Sequence, residues 1–189
     1  PIALGTASGV VKRVAPAEWP ARPDVEVIAL KPGDTGVGAA VSEESDELVF
    51  VTSDAQLLRF SSASVRPQGR SAGGMAGVKL GSGARVVFFG VVRPGEETVV
   101  ATVAVDSTTL AGTDAGSAKV SDLSEFPAKG RATGGVRAQR FLKGEDQISL
   151  AWAGPAPARA LGPDGSLRTL PEGGAKRDAS GVALDAPIG

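Results

Sequence analysis

Apolar residues in this chain fall in short runs, with no long stripe at helical spacing. Val, Leu and Phe gather in 47–52, 85–92, 97–105 and 147–153, and these segments alternate or run continuously apolar. Tight groups of Gly, Pro, Asp and Ser separate them. Shorter strands are expected at 25–30, which runs into the turn Lys31-Pro-Gly-Asp34, and at 78–80 and 139–141. Phe141-Leu142 meets the turn Lys143-Gly-Glu-Asp146, and the polar, Gly-rich segment 172–181 reads as a loop. The pattern predicts an all-β domain of many short antiparallel strands, with no linker that would divide it.

The runs repeat. Thr6-Ala-Ser-Gly9-Val-Val-Lys12-Arg13 returns as Thr52-Ser-Asp-Ala55-Gln-Leu-Leu58-Arg59, as Thr113-Asp-Ala-Gly116-Ser-Ala-Lys119 and, more weakly, as Gly162-Pro-Asp-Gly165-Ser-Leu-Arg168. Each reads as a tight turn, with Gly favoured where φ must be positive, leading into a strand that ends in a base. A second module, Gly69-Arg70-Ser-Ala-Gly73-Gly74, recurs as Gly130-Arg131-Ala-Thr-Gly134-Gly135. A decayed copy, Arg177-Asp-Ala-Ser-Gly181, keeps the Arg-to-Gly spacing. Successive repeats start 46, 61 and 49 residues apart, and the long middle interval has room for a loop around Arg93-Pro94-Gly95-Glu96. Periods near 50 with about four strands each predict a propeller-like ring of about four blades, roughly 3–50, 51–111, 112–160 and a partial 161–189.

Composition changes this picture mainly by exclusion. With no His, Cys or Tyr, imidazole acid–base chemistry, thiol nucleophiles, thiolate metal sites and tyrosyl intermediates are absent. No nucleophile elbow, S-x-x-K, phosphate loop or dinucleotide fingerprint is present, so no catalytic residue, metal or cofactor is expected. No apolar run reaches the ~20 residues of a membrane span, no signal peptide is visible, and the lack of Cys suits a reducing cytoplasm. The chain begins at Pro1, which suggests part of a longer protein.

The net charge of −1 conceals segregation. Residues 1–50 hold four bases and eight acids, whereas no acid lies between Asp54 and Glu96, or between Glu125 and Glu145. The first acid-free stretch carries Arg59, Arg66, Arg70, Lys79, Arg85 and Arg93; the second carries Lys129, Arg131, Arg137, Arg140 and Lys143. Both good copies of the Gly-Arg-x-x-Gly-Gly module fall inside them. Its glycines permit sharp turns and close backbone approach, and its Arg offers a planar fork to phosphate. Repeated around a ring, such loops make a discontinuous basic track suited to bent duplex DNA, since phosphate contacts position a duplex without reading its sequence.

Val51-Thr-Ser-Asp-Ala-Gln-Leu-Leu-Arg-Phe60, Pro67-Gln-Gly-Arg-Ser-Ala-Gly-Gly74 and Ala76-Gly-Val-Lys-Leu80 together resemble a blade of the C-terminal domain of bacterial type IIA topoisomerase A subunits, and 119–146 resembles the next blade. The likeness extends over nearly the whole chain and is nearer to actinobacterial topoisomerase IV-like subunits than to gyrase. It implies a β-pinwheel whose blades exchange strands and which bends or wraps duplex DNA. It also implies, as partners, the remainder of a dimeric A subunit carrying the catalytic tyrosine and an ATPase B subunit, in a bacterial, nucleoid-associated setting. One departure matters: the gyrase A box, Gln-Arg-Arg-Gly-Gly-Lys-Gly, has no full copy. Its nearest match, Gln68-Gly69-Arg70-Ser71-Ala72-Gly73-Gly74, keeps one Arg, so bending is expected more than tight chiral wrapping.

The expected phosphate contacts are Arg59, Arg70, Lys79, Lys119, Lys129, Arg131, Arg137 and Arg140, with Lys12 and Arg13 in a more acidic neighbourhood. The motif loops contribute Gln68, Gly69, Gly73, Gly74, Gly130, Gly134 and Gly135. A protein-interaction propeller using the acidic first repeat is the main alternative; a sugar-binding one would need more aromatics than two Trp and six Phe supply. The acidic run Ser42-Glu-Glu-Ser-Asp-Glu47 reads as a solvated hairpin tip, and Trp19 and Trp152 as packing residues.

Overall fold

A computed structural model describes residues 1–16, 20–110 and 112–189; Trp19 lies outside the described residues. The apolar runs become three sheets of one plan. The first contains β1 (Ile2–Thr6), β2 (Val10–Val14), β3 (Gly36–Val41), β6 (Pro67–Gln68) and β7 (Met75–Ala76). The second contains β4 (Glu47–Thr52), β5 (Gln56–Ser61), β8 (Val86–Val92) and β11 (Val136–Arg137). The third contains β9 (Thr98–Val105), β10 (Ser117–Asp122), β12 (Gln147–Pro155) and β15 (Val182–Ala183). A separate pair, β13 (Ala160–Leu161) and β14 (Leu167–Arg168), follows around a turn at Gly165 (φ +77°).

In every full sheet a hairpin (β1–β2, β4–β5 or β9–β10) pairs on one side with a long later strand, and on the other with a two-residue strand from farther along the chain. These short strands dock in one register: Val11 opposite Met75, Leu57 opposite Val136, Ala118 opposite Val182. Each sheet is thus completed by a strand reaching in from a later repeat, as the pinwheel expectation requires. The long strands β3, β8 and β12 of successive sheets pack beside one another. That crowding makes them the inner edge of a fan, and the borrowed strands β7, β11 and β15 its outer edge.

Strand β4 shows how the second sheet comes to have both faces dry. Alternate residues point to opposite faces. Leu48 and Phe50 join Val11, Leu58, Phe60 and Phe89 in the core between the first and second sheets. Val49 and Val51 join Leu57, Val100, Phe126 and Ala153 between the second and third. Phe89 enters the first sheet where Gly5 and Gly38 leave room for it, and its ring lies 4.9 Å from that of Phe50.

Several local expectations are corrected. Segments 25–30, 78–80 and 139–141 are extended but form no strands; single backbone bonds such as Lys79 N–H to Thr133 O (3.0 Å) hold them. The acidic run is not a hairpin tip, since 42–46 joins β3 of one sheet to β4 of the next, with Ser42 and Asp46 buried. The long middle repeat does not arise at Arg93–Glu96. That connection, 93–97, matches 42–46 in length, and most of the extra chain lies in the hairpin loop 106–116, where the other repeats have only 7–9 and 53–55. Trp152 is 37% exposed and lies on the open face of β12.

Candidate nucleic-acid interface

The two Gly-Arg-x-x-Gly-Gly segments, 69–74 and 130–135, and the decayed segment 176–181 are the loops that lead into β7, β11 and β15. All three therefore sit at the outer edge, one per sheet. Gly74 (φ +81°) and Gly135 (φ +76°) close the two good copies. A Cβ on Gly74 would lie 2.8 Å from Val11 O, and one on Gly135 would collide with Leu57 O, so only Gly lets the loop lie flat on the strand beneath. The third loop has Gly181 in the same place, against Ser117 and Gln139. The middle residue of each loop accepts from the neighbouring extended segment: Ala72 O from Ala29 N (3.3 Å), Thr133 O from Lys79 N (3.0 Å), Ala179 O from Arg140 N (3.0 Å).

Three of the expected phosphate contacts turn inward. Lys12 is fully buried, and its Nζ donates to Val27 O, Arg70 O and Ala72 O, each at 2.7 Å. Lys119, 3% exposed, donates to Lys176 O (2.9 Å) and to Arg177 O. Each lysine thus pins the outer loop of its own sheet from beneath. Burial lowers both amines: for Lys12 it is opposed by Glu26, and Lys119 falls to about 8 despite Asp178 and Glu125, with Arg177 pushing the same way as burial. Arg13, also buried, donates from Nη1 to Val65 O (3.1 Å) and Ser62 O (3.3 Å), holding the single-turn helix Ser62–Ser64. These cations have no surface to offer a phosphate. Their strands are buried, with β2 and β10 each carrying four or more consecutive buried residues, and nothing in the sequence signalled this placement.

The remaining residues divide by engagement. Arg59 is half-buried and paired with Glu47 (3.3 Å). Arg131 is half-buried and donates from Nη1 to Ala76 O (2.6 Å) on β7 of the first sheet. Lys79, Arg137 and Arg140 are exposed, Lys129 is exposed with its Nζ donating to Gly135 O (3.4 Å), and Arg70 is half-buried with no side-chain partner among the described residues. Gly69, Gly73, Gly130 and Gly134 are exposed loop positions, while Gln68 lies in β6, paired in parallel with Val14. Arg66, Arg85, Arg93 and Lys143 add exposed charge. No group of acidic side chains suited to a metal occurs among the described residues, and no helix among them is long and apolar enough to cross a membrane.

Residues 46–93 and 109–150 match the family model described as the DNA gyrase C-terminal domain, beta-propeller. The DNA gyrase A protein of Mycolicibacterium smegmatis is 29% identical over 139 residues, covering 71% of this chain and 15% of that protein. Its counterpart from Salmonella typhimurium is 33% identical over 135 residues, covering 70% and 14%. The chain thus spans about 15% of the length of the curated relatives it matches. Among solved structures, the C-terminal domain of DNA topoisomerase IV superposes with a TM-score of 0.80 at 22% identity, over 98% of this chain and 57% of that one. The E. coli ParC C-terminal domain does so at 0.74 and 16%, over 100% and 79%. With sheets completed by borrowed strands, glycine loops along the outer edge and two central repeats that fit the family model, this chain belongs to the DNA gyrase C-terminal β-propeller domain family.

Proposed function

We propose that this domain binds duplex DNA along its outer edge without reading sequence, and bends it beside the catalytic core of a type IIA topoisomerase. The observation that carries the reading is the recurrence of one loop on three successive sheets, all at the same edge, with Lys79, Lys129, Arg137 and Arg140 exposed around the loops. Acid-free stretches supply these cations, and backbone phosphates are the partner that spaced, sequence-independent charge can hold. The domain itself performs no chemistry. DNA cleavage by a tyrosine in the rest of a dimeric A subunit, and ATP hydrolysis by a B subunit, belong to its partners in the bacterial cell.

The single arginine in each loop, set against the consecutive arginines of a gyrase A box, favours a topoisomerase IV-like role that steers DNA over gyrase-like tight wrapping. Titrating the chain with unrelated duplexes at several salt concentrations tests binding. Affinity is expected to fall with salt at about −0.9 log units per log unit for each phosphate neutralised, equally for all sequences. Absence of binding at low salt rules the reading out. Loss of binding in the Arg70→Glu/Arg140→Glu variant separates DNA from a protein partner held at the acidic first repeat.

A further inference from the structure

The three outer loops are not ranked by the structure as they are by sequence. By motif, 69–74 and 130–135 are twins and 176–181 is a remnant. By geometry, the first and third are the pair. Both close an inner turn with the same bond, Ala72 N to Gly69 O (3.1 Å) and Ala179 N to Lys176 O (3.0 Å). Both are pinned from below by a buried lysine, Lys12 or Lys119, that holds the carbonyl of the loop arginine, Arg70 or Arg177. The position equivalent to these lysines in the second sheet is Leu58, which is buried in the core. Without a lysine, the middle loop takes another path: Ala132 adopts φ +66° and donates its N–H to Gly77 O (2.7 Å), and the Arg131 guanidinium crosses to Ala76 O (2.6 Å).

We infer that Arg177, beside Arg140 on the third sheet, is a DNA-phosphate contact equivalent to Arg70, and that Arg131 is a strut between sheets and not a phosphate contact. Where a lysine fixes the loop from inside, the arginine side chain is left without internal work: those of Arg70 and Arg177 have no hydrogen-bond or ion-pair partner among the described residues. Where the lysine is missing, the arginine takes over the structural task, and its planar fork is spent on a backbone carbonyl. Lys176, next to Arg177, is itself tied to Glu125 (3.1 Å), which leaves Arg177 and the exposed Arg140 as the cations of this loop. The inference rests on the duplex-binding reading above.

Salt titrations of Arg177→Gln, Arg177→Lys and Arg131→Gln with one duplex, each paired with a thermal melt, test it. Arg177→Gln is expected to weaken binding several-fold and reduce the salt slope by about 0.9, with an unchanged melting midpoint, and Arg177→Lys to restore the slope. Arg131→Gln is expected to lower the midpoint and leave the slope intact. An unchanged slope in Arg177→Gln overturns the assignment, as does a slope reduced in Arg131→Gln with an unchanged midpoint. If the unaltered chain shows no salt-dependent binding, the duplex-binding reading fails first; if it binds and only Arg177→Gln is silent, this inference fails alone.

Discussion

A buried lysine is an expensive way to hold a loop, and Lys119 makes the cost measurable. The ammonium loses its water and recovers only two carbonyl bonds, so its pKa falls to about 8 from an ordinary 10.5. Below about pH 8 the amine is charged in both folded and unfolded chains, and the fold carries the full desolvation penalty. Between about 8 and 10.5 the unfolded chain binds more protons than the folded one, so stability rises with pH. Lys12 is shifted in the same direction and adds to the rise. The sequence holds no His, Cys or Tyr, so amines are the side-chain groups left to titrate in this window. Urea unfolding at stepwise pH is expected to show the rise in the unaltered chain, a weaker rise in Lys119→Met and the weakest in Lys12→Met/Lys119→Met. A stability that falls over this interval would contradict the assignment.

Among the elements, the borrowed strands are the weakest joints, because β7, β11 and β15 each contribute only two residues to a sheet. Their attachment depends on the glycine before them. In Gly135→Ala the new methyl would collide with Leu57 O at a positive φ, so loop and strand must lift together. The expected cost is about 1–3 kcal/mol, with hydrogen-exchange protection lost first in β11 and the edge of β5. Gly130→Ala, whose methyl would meet nothing nearer than Thr133 at 4.0 Å, is the control and should stay within about 0.5 kcal/mol. The same elements mark what the sequence could reveal. Strands such as β4 and β9 were legible from local pattern, because a run apolar on both faces belongs inside a stack of sheets. The outer strands were not, because two residues carry no period and their partners, such as Val136 for Leu57, are fixed by a distant repeat. Likewise the loops were legible as a recurring element from their glycines and arginines, and the structure sets them along one edge. Which bases face outward was not, since a lysine such as Lys12 or Lys119 in a short strand reads the same whether it meets solvent or a carbonyl beneath a loop.

For the whole molecule, the proposed duplex binding sets a net charge of −1 against exposed cations around the outer loops: overall neutrality limits long-range attraction, so phosphate would be held only at spaced points. Spaced contacts bend a duplex only if together they offset its stiffness, about 1–6 kcal/mol for a bend of about 40–90° over about 20–30 base pairs. Few cations surround each loop, so the balance is close, and losing one contact should release the bend before it releases the DNA. A duplex labelled at both ends is therefore expected to gain energy transfer on binding the unaltered chain. It should lose most of that gain with Arg140→Glu at saturating protein, where binding persists. The same balance limits wrapping. Plasmid relaxed in the presence of the domain should show little change in linking number, because a modest bend stores little writhe. A large shift of one sign would instead require the tight wrap that a single arginine per loop argues against, and would return the domain to gyrase-like behaviour.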